Sequence, residues 1–220
     1  MENFRIKIQK ILKEKGFNLG TSGPNKDGVD GIVGPLTLGK ATKWLKSEHV
    51  KLGYLWFHKG GISLRITDTF TNGFTELFFV VRGGEVVSVS PWTTKPGSYW
   101  IQNPVTVGGI KGTGIQKEGQ WIHSHEYVAK PKRKWGKAGY FKQVGTIEVY
   151  RDGDRDNTLD KNVTQFAPTW YGFFLHAMGS GRNIYNWSAG CCGAPLAYWQ
   201  KYIDPYFKNG DVISHTIINL

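Results

Sequence analysis

The chain has 220 residues, of which 40% are hydrophobic and 20% are charged, a composition typical of a globular protein with a substantial core. Its formal net charge of +11 favours polyanionic surroundings such as nucleic acid, anionic lipid or an anionic cell wall, although such charge also serves solubility alone. The sequence has no zinc-ligand pattern, no aromatic-glycine RNA-binding signature and no stretch near the ~18 apolar residues of a membrane helix. We therefore expect neither a nucleic-acid partner nor a membrane span.

The start of the chain is charged and amphipathic. Met1-Glu-Asn-Phe-Arg does not lead into an apolar segment, so we expect synthesis in the cytoplasm without a signal peptide. The two cysteines, Cys191 and Cys192, are neighbours, which disfavours a structural disulfide. Both are expected to be free thiols.

The first segment predicts two helices. Apolar residues at helical spacing indicate an amphipathic helix over 4–16, ended by Gly16. The stretch 20–34 is dense in Gly, Pro, Asn and Asp and predicts a loop. A second helix begins at Pro35 and ends near residue 50, which gives a small helical module over 1–52.

This module resembles the peptidoglycan-binding domain found at the ends of many cell-wall hydrolases. The resemblance rests on Ile-Gln-Lys-Ile-Leu at 8–12 and on Val-Asp-Gly-Ile-Val-Gly-Pro-Leu-Thr at 29–37. It implies that the wall-binding turn is formed by Asp30, Gly31, Gly34 and Thr37. The alternative is a helical pair that only packs on the rest of the chain.

After about residue 53, the spacing of apolar residues changes from that of a helix to that of strands. Strands are predicted over 62–66, 74–81, 85–89, 98–102, 146–150 and 171–176. The second and third of these are joined by a Gly83-Gly84 hairpin, and the charge run 130–134 predicts a solvated loop. The predicted fold class is α+β, with the helical module over 1–52 followed by a mostly β domain over 53–220.

The strongest chemical signal joins an imidazole, a hydroxyl and a thiol. His176 ends the predicted strand 171–176, and Ser188-Ala-Gly-Cys191 follows after a loop. A thiol reacts as the thiolate, and a nearby imidazole supplies the base that forms it. Gly190 permits a tight turn, so the amides around Cys191 are expected to face a developing oxyanion.

This part of the chain resembles the L,D-transpeptidase catalytic domain, whose signature is a His, a loop and Ser/Thr-His-Gly-Cys. Thr-Thr-Lys-Pro-Gly-Ser-Tyr at 93–99 is similar to a segment that precedes the active site in that family. A phage and bacterial branch has Trp-Ser-Ala-Gly-Cys, found here at 187–191. That branch also has an upstream Tyr-Arg-Asp-x-x-Arg-Asp, found here at 150–156.

The resemblance implies a cysteine mechanism without a cofactor. Cys191 is the expected nucleophile, His176 its base, and Ser188 a residue that orients the imidazole or donates to the intermediate, with Gly190 beside them. The substrate is an L,D peptide bond of a peptidoglycan stem, attacked to give an acyl-enzyme. Candidate substrate-binding residues are Trp187, Arg182, Tyr99 and His125.

Three functions remain open. The favoured one is a hydrolytic, monomeric endolysin of phage type, which reaches the wall after release from a lysing cell. The second is a transpeptidase that passes the acyl group to an amine. The third is a non-catalytic wall-binding or virion structural protein, for which Ala189 in place of the motif His and Cys192-Gly193 are the main arguments.

A metal site is not expected. Carboxylates are spaced like the start of a calcium loop at Asp152, Asp154, Asp156 and Asp160. Val163 stands at the position of the bidentate Glu, so the favoured interpretation is a hydrogen-bonded turn with Arg151 and Arg155 as counter-charges. His123, His125 and Glu126 do not complete a zinc site.

Overall fold

The fold is mixed α+β and consists mostly of strands, as the sequence predicts. A computed structural model describes residues 3–129 and 138–220, and the charge run 130–134 lies outside them. The helices are α1 Phe4–Glu14, α2 Pro35–Lys51, α3 Ser98–Gln102 and α4 Leu196–Tyr202. The strands are β1 Lys59–Arg65, β2 Glu76–Arg82, β3 Glu85–Trp92, β4 Thr106–Val107, β5 Ile110–Lys111, β6 Thr113–Gln116, β7 Gly119–Val128, β8 Tyr140–Gln143, β9 Ile147–Asp152, β10 Thr164–Ala167, β11 Leu175–Ala177, β12 Cys192–Ala194 and β13 Val212–Asn219.

The two N-terminal helices pack on the main sheet. Asn3 caps α1 by accepting a hydrogen bond from the Arg5 amide, and Pro35 is the first residue of α2. Their apolar stripes are buried in one cluster with side chains of β2 and β3. That cluster includes Ile8, Leu12, Trp44, Leu45, Leu77, Phe79, Val81, Val86 and Val89. Helix packing therefore covers one face of this end of the sheet.

Eight strands form the main sheet, in the order β12-β11-β8-β7-β13-β1-β2-β3. The sheet is nearly closed, because its edge strands β12 and β3 approach each other. Just beyond β3, Thr93 and Gly193 exchange backbone hydrogen bonds of 2.9 and 3.0 Å. We call this contact between the two edges the seam. It brings residues that follow β3 against the segment that carries both cysteines.

A second sheet has the strand order β10-β9-β6. Its strand β6 contains Gly114, whose carbonyl oxygen lies 2.3 Å from the position of a Cβ added to Gly190. The backbone of β6 therefore supports the turn before Cys191.

Two predicted strands are wrong in detail. Residues 98–102 form the short helix α3, which follows the N-cap residue Gly97 and buries only Ile101, so the segment lacks the regularly alternating burial of a strand. Within 171–176, a single 3-10 turn at Thr169–Tyr171 ends at Gly172, whose φ is +72°, and only the last residues enter β11. The other predicted strands agree with β1, β2, β3 and β9 to within a few residues.

No helix in the described ranges has the length and apolar character needed to cross a bilayer.

Candidate functional site

Cys191 lies directly before an edge strand that runs beside the strand carrying His176. β11 and β12 are parallel, with Leu175 opposite Cys192 and His176 opposite Gly193. The Phe174 amide donates to the Sγ atom of Cys191 over 3.4 Å, and that thiol is 3.6 Å from the Gly172 carbonyl oxygen. The strand pairing therefore places the thiol beside the backbone that leads into His176.

A tight turn holds the backbone before Cys191. The buried Ser188 hydroxyl accepts from the Gly190 amide over 3.1 Å and donates to the Cys191 carbonyl over 2.6 Å. Gly190 has a φ of +135°, a conformation that favours glycine. Ser188 is thus engaged by the turn itself, and the Gly190 amide is engaged by Ser188. The Cys192 amide donates to the Phe174 carbonyl, so these two amides do not face an oxyanion.

His176 is buried and oriented by its own strand. Its Nδ1 atom lies 2.8 Å from the Ala177 carbonyl oxygen, which can only accept a hydrogen bond. The proton of the neutral ring is therefore on Nδ1, and Nε2 is the basic nitrogen. Burial lowers the pKa of His176 below its ordinary value, so the ring is neutral near neutral pH.

The thiol of Cys191 is also neutral at rest. The residue is half-buried, and desolvation raises the pKa of its thiol to about 11. Cys192 is fully buried, its Sγ atom lies 3.6 Å from the Gln116 side-chain oxygen, and burial raises its pKa further. Of the two cysteines, Cys191 is the less buried. Cys191 is therefore a neutral thiol and His176 a neutral imidazole at rest.

The motif at 93–99 lies along the cysteine segment. In addition to the seam between Thr93 and Gly193, the Gly97 amide donates to the Ser188 carbonyl over 2.9 Å. An alanine Cβ at position 97 would lie 1.6 Å from the Tyr185 carbonyl oxygen, so only glycine fits this approach. The two segments recognised separately in the sequence are therefore in direct contact.

A buried ion pair anchors this motif. Lys95 Nζ lies 3.1 Å from Glu76 Oε1, and both side chains are at most 3% exposed. The second Glu76 oxygen accepts from the Thr94 amide over 2.6 Å. Glu76 was not predicted from the sequence, although a carboxylate at the start of an apolar strand is the signal that would have singled it out.

The predicted substrate-binding residues separate into two groups. Tyr99 and Trp187 are about half exposed and lie on adjacent segments, since the Trp100 indole donates to the Asn186 carbonyl. Arg182 is exposed and lines a cavity of about 450 Å³ between its loop, α1 and α4. His125 is a correction, because it is fully buried within β7 and cannot contact a substrate. Its ring nitrogens bond to the Ser124 hydroxyl and the Phe173 carbonyl.

The predicted wall-binding turn is well ordered. The Asp30 carboxylate accepts from the Gln9 side chain over 2.7 Å and from the Ile32 amide over 2.9 Å, and the first of these bonds is the main reason that its pKa falls to about 2. Gln9 also accepts from the Gly31 amide, a role that the sequence did not reveal. Asp30, Gly34 and Thr37 line a cavity of about 160 Å³.

The acidic loop brings together three of its four carboxylates. One oxygen each from Asp152, Asp154 and Asp160 lies within 4.8 Å of the others, whereas Asp156 is outside this group. Burial, followed by the neighbouring carboxylates, raises the pKa of Asp152 to about 6. Arg151 is not their counter-charge, because its guanidinium donates to the carbonyls of residues 105 and 110.

A comparison of the chain with protein-family models finds no matching family. A search of the curated proteins likewise finds no match.

Proposed function

We propose that the protein is a cysteine peptidase that cleaves L,D peptide bonds in peptidoglycan stems. The observation that carries this proposal is the convergence at the seam of three segments that the sequence singles out independently. Residues 93–97 contact 188–193, and β12 pairs with the strand of His176. Short motifs that match a family by chance would not need to contact one another. Motifs that form one active site must do so.

The chemistry follows from the neutral pair. His176 Nε2 takes the proton of the Cys191 thiol while Sγ attacks the carbonyl carbon of the stem peptide. The tetrahedral intermediate expels the amine, which accepts that proton, and leaves a thioester on Cys191. Water, deprotonated by the same imidazole, attacks the thioester and releases the carboxylate and the thiol. The Ala177 carbonyl stabilises the imidazolium that forms in each step.

Two other features support a wall substrate. The turn around Asp30 resembles a peptidoglycan-binding motif and presents a small cavity. The net charge of +11 suits an anionic wall. We include in the proposal that the protein acts as a monomeric endolysin, made in the host cytoplasm and active on the wall after release.

The first test is mass spectrometry of muropeptides released from purified sacculi. Cys191→Ala is expected to lower the rate of release by about a thousand-fold or more, because the nucleophile is lost. Cys192→Ala, a matched removal of the neighbouring thiol, is expected to retain activity within a few-fold of the parent. Full activity of Cys191→Ala contradicts the mechanism.

The products also separate the three functions. Hydrolysis adds one water to each cleaved bond, whereas transfer to an amine joins two stems and gives a new cross-linked mass. Binding to sacculi without any released product supports the non-catalytic alternative. The raised pKa of Cys191 is the specific observation that favours that alternative.

A further inference from the structure

Three carboxylates meet at the end of β9, in a loop separate from Cys191. One oxygen from each of Asp152, Asp154 and Asp160 lies within 4.8 Å of the other two. Oxygens bound to a calcium ion lie about 2.4 Å from it, so two of them are at most about twice that distance apart. The three oxygens therefore fit within one coordination shell of that ion.

Asp152 gives an independent indication of a ligand. The residue is 1% exposed, and its Oδ2 atom accepts from the Asp160 amide over 3.0 Å. Its Oδ1 atom is buried and has no hydrogen-bond partner among the described residues. A buried carboxylate oxygen without a partner is costly, and a cation held beside it removes that cost.

Side-chain cations do not fill this role in the described part of the chain. The ion pairs formed within residues 3–129 and 138–220 include none of the three aspartates. The adjacent Arg151 is committed to the carbonyls of Val105 and Ile110, each 3.1 Å away. Among the described residues, the negative charge of this cluster is therefore left without an ion-pair partner.

We propose that Asp152, Asp154 and Asp160 bind one calcium ion, with water completing its coordination. Carboxylate oxygens are the ligands that hard divalent cations prefer. Calcium accepts irregular sets of six to eight oxygens, whereas magnesium demands a nearly ideal octahedron. A loop that supplies one buried, one half-buried and one exposed carboxylate suits the more tolerant ion.

The loop that holds this site is hydrogen-bonded to residues 68–70, close in the chain to a contact with the loop between His176 and Cys191. The Phe70 amide donates to the Asn157 carbonyl over 2.8 Å, and the Leu159 amide donates to the Asp68 carbonyl over 3.0 Å. A short distance along the chain, the Asn72 carbonyl accepts from Ile184, within the loop that joins His176 to Cys191. Calcium binding therefore stabilises a segment on which that loop rests.

The test is calcium binding by protein first treated with EDTA and then dialysed. We expect CaCl2 to bind with one-to-one stoichiometry by calorimetry and to raise the melting temperature, because a ligand that binds only the folded state stabilises it. Asp154→Asn is expected to weaken calcium binding at least ten-fold. Asp156→Asn, a matched change in the same exposed loop but outside the cluster, is expected to stay within two-fold.

Two further measurements test the same proposal. Calcium is expected to slow hydrogen exchange at the Phe70 and Leu159 amides, and MgCl2 at equal concentration is expected to have less effect. A concentration of about 10 mM CaCl2 exceeds the dissociation constants of the weakest calcium-binding modules. The proposal is overturned if CaCl2 at this concentration gives neither heat in calorimetry nor a shift in melting temperature. Equal weakening by Asp154→Asn and Asp156→Asn overturns it too. None of these results depends on peptidase activity.

Discussion

At the scale of single residues, the state of Cys191 determines how the proposed peptidase works. A thiol with a pKa of about 11 is almost wholly protonated at pH 7. With His176 neutral as well, the thiolate forms during attack and is not stored as an ion pair. We therefore expect the rate of alkylation of Cys191 by iodoacetamide to rise about ten-fold for each pH unit between pH 7 and pH 9, measured by mass spectrometry.

The Cys192→Ala variant is the background for this measurement, since only one thiol then remains. A rate that stays flat between pH 7 and pH 9 contradicts the expectation, because it indicates a thiolate already formed. Peptidase activity should also persist below pH 6.5 and fall only through the lowered pKa of His176, below which the imidazole is protonated and cannot act as base.

At the scale of elements, the ion pair between β2 and the residues after β3 positions the motif beside the thiol. Glu76→Gln leaves the Lys95 ammonium buried without a counter-charge. We expect a loss of about 3–5 kcal/mol in the free energy of unfolding, measured by urea denaturation. Because Glu76 also holds the Thr94 amide, activity should fall in the molecules that remain folded.

The double variant Glu76→Gln with Lys95→Met is the control for buried charge. It removes the unpaired ammonium, so much of the lost stability should return. If the double variant is as unstable as Glu76→Gln alone, the ion pair is not the source of the effect.

The elements also show where sequence patterns stop being informative. The hairpin at Gly83-Gly84 was predictable because apolar runs flank it, and β2 and β3 are largely apolar. β7 and β13 were not predicted, although they are among the longest strands. Their buried positions include Ser124, His125, Ser214 and His215, so a pattern of apolar residues does not reveal their inward faces.

At the scale of the whole molecule, buried histidines link stability to pH. Burial lowers the folded-state pKa of His49, His125, His176 and His215, in the case of His125 to about 4. The unfolded state, with a pKa of about 6.5, then binds more protons. Their contribution is therefore complete above about pH 6.5 and is lost as the pH falls toward the lowered values. For each pH unit below about pH 6.5, we expect each histidine to lower the free energy of unfolding by up to ~1.4 kcal/mol. Urea denaturation from pH 7.5 to pH 5 measures this loss.

His49→Gln should reduce this slope by at most one proton. The raised pKa values of Asp152 and Asp160 act in the opposite direction, with at most two protons against four. A melting temperature that does not change between pH 7.5 and pH 5 contradicts this account.

Some residues of the candidate site were predictable from the sequence, and others were not. Cys191 and His176 were chosen from local motifs, and β11 and β12 pair beside each other as such a site requires. A carboxylate at the start of an apolar strand marks Glu76 as unusual, but its pairing with Lys95 was not predictable, and neither was the approach of Gly114 to Gly190, because contacts between distant positions leave no local pattern. His125 was misplaced for the same reason, since only the sheet order shows that β7 is central and its side chain buried.

The seam has a consequence for how the protein folds. Thr93 and Gly193 are 100 residues apart in the chain, and they meet only when the first and last strands of the sheet order are in place. Contacts of such long range are made slowly, because chain entropy must be lost before they form. The seam is thus a late event in refolding, and the return of peptidase activity should follow the slowest phase of refolding and not the earlier burial of tryptophan.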